Sequence, residues 1–298
     1  AESHTGLLWV FEGITSYYDD LALLRSGLID VESYLELLGR VMTRVQRGTG
    51  RLRQSVEESS FDAWIKFYKQ DANAGNAIVS YYTKGALIAL SLDLKLRDET
   101  DGRLTLDHVM QECWRRFGET GVGMQEHDFE AVCSELAGFS LQDFFDAAVR
   151  GTGELPLDQL LERHAIDVRY RASAGTGDKG GRPAADTAQV WFGASVANRS
   201  NQAVVTAVSN GSPAELAGIS PGDELVALDG LRISAASLDT AVRRYRINDK
   251  VAIAVFRGDE LLSLELRFVA APENTVHLSL AADASDDALA KRQRLLGK

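Results

Sequence analysis

The sequence predicts a multidomain chain, an all-α lobe followed by a mostly-β module. Three observations predict it. Apolar residues recur at helical spacing from Leu7 to about His164. A polar stretch rich in glycine follows at 172–188 and shows no period. From Gln189 the pattern changes to short β-branched and aromatic runs bounded by Gly, Pro and Asp. At 298 residues, with 45% hydrophobic and 25% charged residues, the chain can bury two cores. The boundaries fall at 1–165 for the helical lobe, 166–188 for a flexible linker, 189–272 for the β module and 273–298 for a polar tail.

In the lobe, Leu8-Trp9-Val10-Phe11 leads into Glu12 and Gly13, and Ile14, Tyr17, Tyr18, Leu21 and Leu24 follow at helical spacing. Glu12 therefore lies in the first turns of an amphipathic helix. A carboxylate there is expensive to bury unless a positive charge neutralises it, and a metal ion would do so. A solvent-facing carboxylate at the positive end of the helix dipole is the other reading. A second amphipathic helix runs over 31–45, and 47–53 is a basic, Gly-rich loop, read as a solvated turn or as a reach toward a substrate carboxylate. Ser59-Ser60 starts a short aromatic helix to Tyr68, and 71–76 is a polar turn. The span 77–96 is apolar on most faces and should cross the core as a helix, with Tyr82 in its first turns and Tyr81 packing beside it. Further helices are expected at 106–117, 126–136, 141–150 and 155–164.

An edge strand is expected at 168–171, before the linker. In the β module, strands are expected at 190–196 and 203–208. The run Gly211-Ser212-Pro213-Ala214-Glu215-Leu216-Ala217-Gly218 gives a short helix, and Pro221-Gly222-Asp223 turns the chain into Glu224-Leu225-Val226-Ala227-Leu228. A helix at 238–245 and a hairpin of 251–257 and 261–269 across Gly258-Asp259 complete it. The tail ends in a helix near 287–296.

Trp9-x-x-Glu12-Gly13 and, 70 positions after Glu12, Tyr82-x-Lys84-Gly85 together resemble motifs of the thermolysin-like, Glu-ligated zinc aminopeptidases. The wording is most similar to the PDZ-containing glycyl aminopeptidase family, and the run 211–230 is similar to a PDZ domain of the bacterial protease type. The resemblance implies that 1–165 is the C-terminal lobe of a thermolysin-like peptidase. It implies that Glu12 is a zinc ligand and that the Tyr82 hydroxyl steadies the tetrahedral intermediate. It also implies peptide substrates, with N-terminal Gly or Ala preferred. Ser16, one turn after Glu12, either orients a metal ligand or is a helix-surface serine. By position, Phe192, Gly193 and Ala194 would form the loop that binds peptide C-termini or extended segments. Few glycines precede that loop, so a purely structural role stands beside the binding one.

The clan's other zinc ligands and its general base lie on a His-Glu-x-x-His helix. None of the five histidines here is paired at that spacing, and eleven residues precede Glu12. The resemblance therefore implies the C-terminal part of a longer enzyme, inactive alone. The competing class is a non-catalytic, peptide-binding adaptor that works through its PDZ module.

The net charge of -11 argues against nucleic-acid partners, which need clustered positive charge. No apolar run approaches the roughly 20 residues of a membrane span. Cys113 and Cys133 lack metal-ligand spacing and read as buried thiols. These 298 residues by themselves, dialysed against a chelator, are expected to hold well under one zinc per chain by metal analysis. Stoichiometric zinc that Glu12→Gln abolishes would overturn this expectation.

Overall fold

The computed structural model describes residues 2–297. Among these residues a π-helical turn, Trp9–Gly13, runs directly into α1 (Ile14–Arg25), and α2 (Val31–Arg47) folds back beside it. Asp30 caps α2 by accepting from the Ser33 amide. Next come α3 (Val56–Phe61), α4 (Ala74–Ala77) and α5 (Thr83–Glu99). They are followed by α6 (Leu106–Cys113), α7 (Asp128–Ala137), α8 (Gln142–Phe145) and α9 (Leu157–Glu162). Helix α5 is the axis of the lobe: Ala86 to Leu92 are buried all round, as its apolar sequence requires.

Two local readings change. The helix expected from Ser59-Ser60 starts earlier, at Val56, because Ser55 and Glu58 form a reciprocal capping box. The helix expected over 77–96 is split. Ile78 is extended, and the Val79 amide and carbonyl bond to the Gln54 and Ser59 side chains, so α5 begins only at Thr83.

The β module holds β2 (Val190–Trp191), β3 (Ala194–Arg199), β4 (Gln202–Val208), β5 (Glu224–Leu228) and β6 (Leu231–Arg232) after the earlier strand β1 (Ile166–Arg171). It continues with β7 (Lys250–Arg257), β8 (Glu260–Arg267) and β9 (Val269–Ala270). Antiparallel pairing gives the order β3-β4-β5-β7-β8, with β6 on β5 and β2 paired to β9. The helices α10 (Pro213–Leu216) and α11 (Leu238–Val242) pack on this sheet through Ala214, Leu238 and Val242.

The linker and tail differ most from expectation. The chain returns to the lobe after the β module. β1 pairs with β10 (Thr275–Leu280) from Ile166↔Leu280 to Arg171↔Thr275. Val276 and Leu278, with Leu295 and Leu296 of α12 (Asp286–Leu296), are buried in the lobe's core. The β module is thus inserted between two strands of one hairpin. The glycine-rich stretch between them is packed against α2. A Cβ on Gly180 would lie 2.0 Å from Thr43 Oγ1, and one on Gly181 2.3 Å from the Glu36 carbonyl. Those glycines serve close approach and positive φ rather than looseness. An ion pair of Arg171 with Asp178 and a bond from the Gly181 amide to the Val276 carbonyl complete the attachment.

The basic loop is solvated only in part: Leu52 and Arg53 are exposed, while Arg47 and Arg51 are tied to other segments. Arg47 donates to the Asp178 carbonyl and to Thr275 Oγ1, both at 2.6 Å, and buried Arg51 pairs with Glu154 at 2.8 Å. Both guanidiniums are committed to holding segments together, so neither reaches a substrate. Cys113 and Cys133 are buried, free thiols. No helix among the described residues is long and apolar enough to cross a membrane.

One buried group makes the lobe sensitive to pH. His164 is 1% exposed; its Nδ1 donates to the Leu160 carbonyl at 2.9 Å, and Nε2 has no hydrogen-bond partner among the described residues. Burial pushes its pKa below the usual value despite nearby Asp98. The unfolded chain then binds the proton more readily than the folded one. The histidine's contribution is present above the unfolded pKa of about 6.5 and is lost as pH falls toward the folded value. His277 is shifted the same way, by burial and the neighbouring Arg171 and Arg169. The urea midpoint should fall between pH 8 and pH 5, and His164→Gln should make that fall shallower. An unchanged slope in His164→Gln would count against this account.

Candidate active site

Glu12 and Tyr82 are brought together by two glycines. A Cβ on Gly13 would lie 2.7 Å from the Gly85 Cα, and one on Gly85 would lie 2.9 Å from the Gly13 Cα. The π-helical turn and α5 therefore touch backbone to backbone, which no larger residue allows. Trp9, on the same turn, is buried edge-on against Phe129 at 5.7 Å, and its amide donates to Ser60 Oγ at 3.1 Å. Deeper in the lobe, Asp93 of α5 accepts from the Tyr17 hydroxyl of α1 at 2.8 Å, from Arg97 Nε at 3.0 Å and from the Leu106 amide at 2.8 Å. Three donors satisfy that buried carboxylate and hold α1 on α5.

On this frame Glu12 is half-buried, and its carboxylate makes no ion pair or hydrogen bond among the described residues. Ser16 is half-buried one turn on, and its hydroxyl is also without a partner among them. Tyr82 sits at the N-cap of α5, half-buried, close enough to feel the Glu12 charge. The Tyr68 hydroxyl, then burial, then Glu12 push the Tyr82 phenol up to about 12. It therefore stays a neutral O–H donor across ordinary pH.

Tyr81 is fully buried and donates to the Tyr68 hydroxyl at 3.0 Å. Its ring lies 4.7 Å from that of Tyr82, and Phe67 stacks on Tyr82 at 5.8 Å. Trp64 and Tyr68, partly exposed, continue this aromatic wall. Tyr68 was not singled out by sequence reasoning. Its signal is Trp64, Phe67 and Tyr68 at helical spacing, which reads as core, whereas Phe67 and Tyr68 meet Tyr82 and Trp64 packs on Tyr68.

Glu12 suits one position of a zinc coordination sphere: an anionic oxygen, partly withdrawn from water, with no protein cation competing for it. Among the described residues no group of three His, Cys, Asp or Glu side chains gathers as a metal site. Glu12 thus stands as one candidate ligand without a complete set around it among the described residues.

In the β module, Phe192 is buried in the core, and its carbonyl accepts from the Ala214 amide at 3.0 Å. Gly193 has φ +84° and lies against Ser212, and Ala194 opens β3 opposite Val208. β3 is one of the two outer strands of the sheet among the described residues, and its outer edge has the form that an extended peptide adds to. These three residues form one corner of the module, well separated in the chain from Glu12 and Tyr82.

Residues 1–88 match the M61 glycyl aminopeptidase family, and residues 190–268 match the PDZ domain. The crystal structure of an aminopeptidase N family protein from Idiomarina loihiensis is similar over 99% of this chain and 49% of its own, with TM-score 0.93 and 40% identity. A probable CtpA-like serine protease of Staphylococcus aureus is 35% identical over 80 residues, which is 26% of this chain and 16% of that protein. The chain thus spans about half of the Idiomarina protein and a sixth of the Staphylococcus one.

The glycine crossing is directly testable. Gly85→Ala places a methyl against backbone atoms of Gly13 that cannot swing aside. Such overpacking should cost about 1–3 kcal/mol in denaturant unfolding. Gly75→Ala, with nothing within 4 Å of the new Cβ, should be nearly neutral. Equal stability of the two variants would show that the close approach is not a constraint.

Proposed function

We propose, from the match of residues 1–88 to the M61 glycyl aminopeptidase family, that this chain supplies the C-terminal part of a zinc-dependent aminopeptidase. It removes N-terminal residues from peptides, glycine and alanine foremost, with the PDZ module binding peptide or substrate. The observation that carries this reading is the pairing of Glu12 with Tyr82 across the Gly13–Gly85 crossing. It joins a carboxylate lacking a protein cation to a phenol held as a donor. Glu12 would be the zinc ligand from this chain, and the remaining ligands would come from a His-Glu-x-x-His helix outside these residues.

When bound, zinc supplies a water acidified toward neutral pH and polarises the scissile carbonyl. The chain's own residues set the geometry. Glu12 presents its carboxylate from the turn just before α1, beside the glycine crossing, and Ser16 one turn on would orient a ligand when the site is filled. Tyr82 presents a protonated hydroxyl across from it. That hydroxyl donates to the carbonyl oxygen as charge grows there, so it stabilises the transition state more than the bound substrate. The wall of Phe67, Tyr68 and Trp64 supplies an apolar flank that keeps water from the reacting carbonyl.

The test is Tyr82→Phe in the full-length enzyme. Loss of an oxyanion donor typically costs about 3 kcal/mol, or roughly a hundred- to thousand-fold in turnover. kcat should fall by that factor while KM, zinc content and melting temperature hold. Tyr81→Phe keeps the Tyr82 hydroxyl and should cost far less. Retention of more than about a third of kcat in Tyr82→Phe, an effect under ~1 kcal/mol, would reduce the tyrosine to packing.

A further inference from the structure

Asn76, on the short helix α4, is 9% exposed and is bonded to both domains. Its Nδ2 donates to the Val208 carbonyl at 2.7 Å, and its Oδ1 accepts from the Asn210 amide at 3.0 Å. It meets the turn after β4 much as a neighbouring strand's peptide unit would. The second Nδ2 proton goes to Asn73 Oδ1 at 3.0 Å, and the Thr49 hydroxyl donates to Asn76 Oδ1 at 3.3 Å. A buried amide with all its groups engaged leaves one arrangement available to both segments.

Each segment leads to a candidate functional group. From Asn76 the chain passes through extended Ile78, then Val79 and Ser80, into Tyr81 and Tyr82. On the other side, the Ser209 amide donates to the Gly193 carbonyl at 2.8 Å, and Ser212 packs directly on Gly193. The turn held by Asn76 is therefore the backing of the loop 192–194.

We infer that Asn76 is a positioning residue that couples the loop 192–194 of the PDZ domain to Tyr82, an inference that rests on the peptidase reading given above. Without its side chain, the Val208 carbonyl and Asn210 amide lose their partners at a buried contact. The turn must shift to recover them, and the Tyr82 segment loses its tie to the module. Coupling of this kind is reciprocal, so a peptide docked at the loop biases the same segment.

The experiment is Asn76→Ala in the full-length protein, with two readouts. Hydrogen exchange should quicken at least tenfold at Asn210, and also at Thr83 and Lys84, whose amides close onto Ser80 at 3.2 and 2.9 Å. Exchange at Leu266, deep in the module's core, should not change. In kinetics, kcat should fall about tenfold with KM within twofold, and the substitution should add nothing in a Tyr82→Phe background. Faster exchange at Asn210 with none at Thr83 and Lys84 overturns the coupling, and so does an equal loss of kcat in both backgrounds. Should Asn76→Ala fail to fold, Thr49→Val removes one bond to the same amide and should give the same pattern at smaller amplitude. If Tyr82→Phe itself leaves turnover intact, the catalytic role given to Tyr82 fails, and the exchange readout still decides whether the two segments are coupled; a wild-type full-length protein without peptidase turnover is what sinks the peptidase reading.

Discussion

The distance between the Trp9–Gly13 turn and α5 governs the rest of the candidate site. Helices that meet through side chains lie about 8–10 Å apart. Here two glycines replace those side chains, and backbone meets backbone at Gly13 and Gly85. Glu12 precedes Gly13 and Tyr82 lies three residues before Gly85, so the spacing of their backbones is set by that contact. The burial of Trp9 on one side and the Asp93 network on the other keep the two elements from sliding. A site assembled this way depends little on the flexibility of its own side chains.

The same contact explains what could be read from the sequence. Glu12-Gly13 and Tyr82-x-Lys84-Gly85 each place a candidate residue near the glycine that allows the close approach, so two short motifs carried both the candidates and the geometry. The helical lobe and the β module were legible from their periods, because each buries its own core. Tyr68 was not legible, since nothing local says that a loop after α3 turns its ring toward Tyr82. The return of β10 and α12 to the lobe was not legible either. A strand of six residues pairs with one over a hundred positions earlier, and its alternation reads alike whichever core it joins. Glycines at 180 and 181 read as a flexible linker because composition cannot separate freedom from close packing.

Insertion of the PDZ domain between β1 and β10 alters how it is held. A domain on the end of a flexible linker moves independently of its neighbour. Here the strands that enter and leave it are hydrogen-bonded to each other, with β10 packed on α2 and β1 on α9. The segment between them also grips the module: Thr176 donates to Asp239, and Arg243 donates to the Ala174 carbonyl and Asp186. With Asn76 on the turn after β4, the module is fastened to the rest of the chain at separate points rather than by a tether. Fixed orientation is what lets a bond network pass a small shift from one unit to the other, instead of dissipating it in rigid-body motion.

Charge supplies the last distinction, between carboxylates that hold the fold and one that is left unpaired. Asp93, Asp178, Asp223 and Glu130 are all withdrawn from solvent, and each has an arginine partner in Arg97, Arg171, Arg257 or Arg150. Pairing is the ordinary remedy for the cost of burying a carboxylate, and it leaves little affinity for anything else. Arg51 and Lys84 lie near α5, yet Arg51 is spent on Glu154 and the Lys84 ammonium turns to the Arg51 carbonyl. Glu12 is thus bypassed by the lobe's own cations while lying beside a neutral phenol that cannot compensate it. A partly desolvated carboxylate in that state retains its attraction for an external cation, and a divalent metal gains most from it. The fold thus neutralises these structural carboxylates and leaves Glu12 unpaired just before α1, beside the glycine crossing.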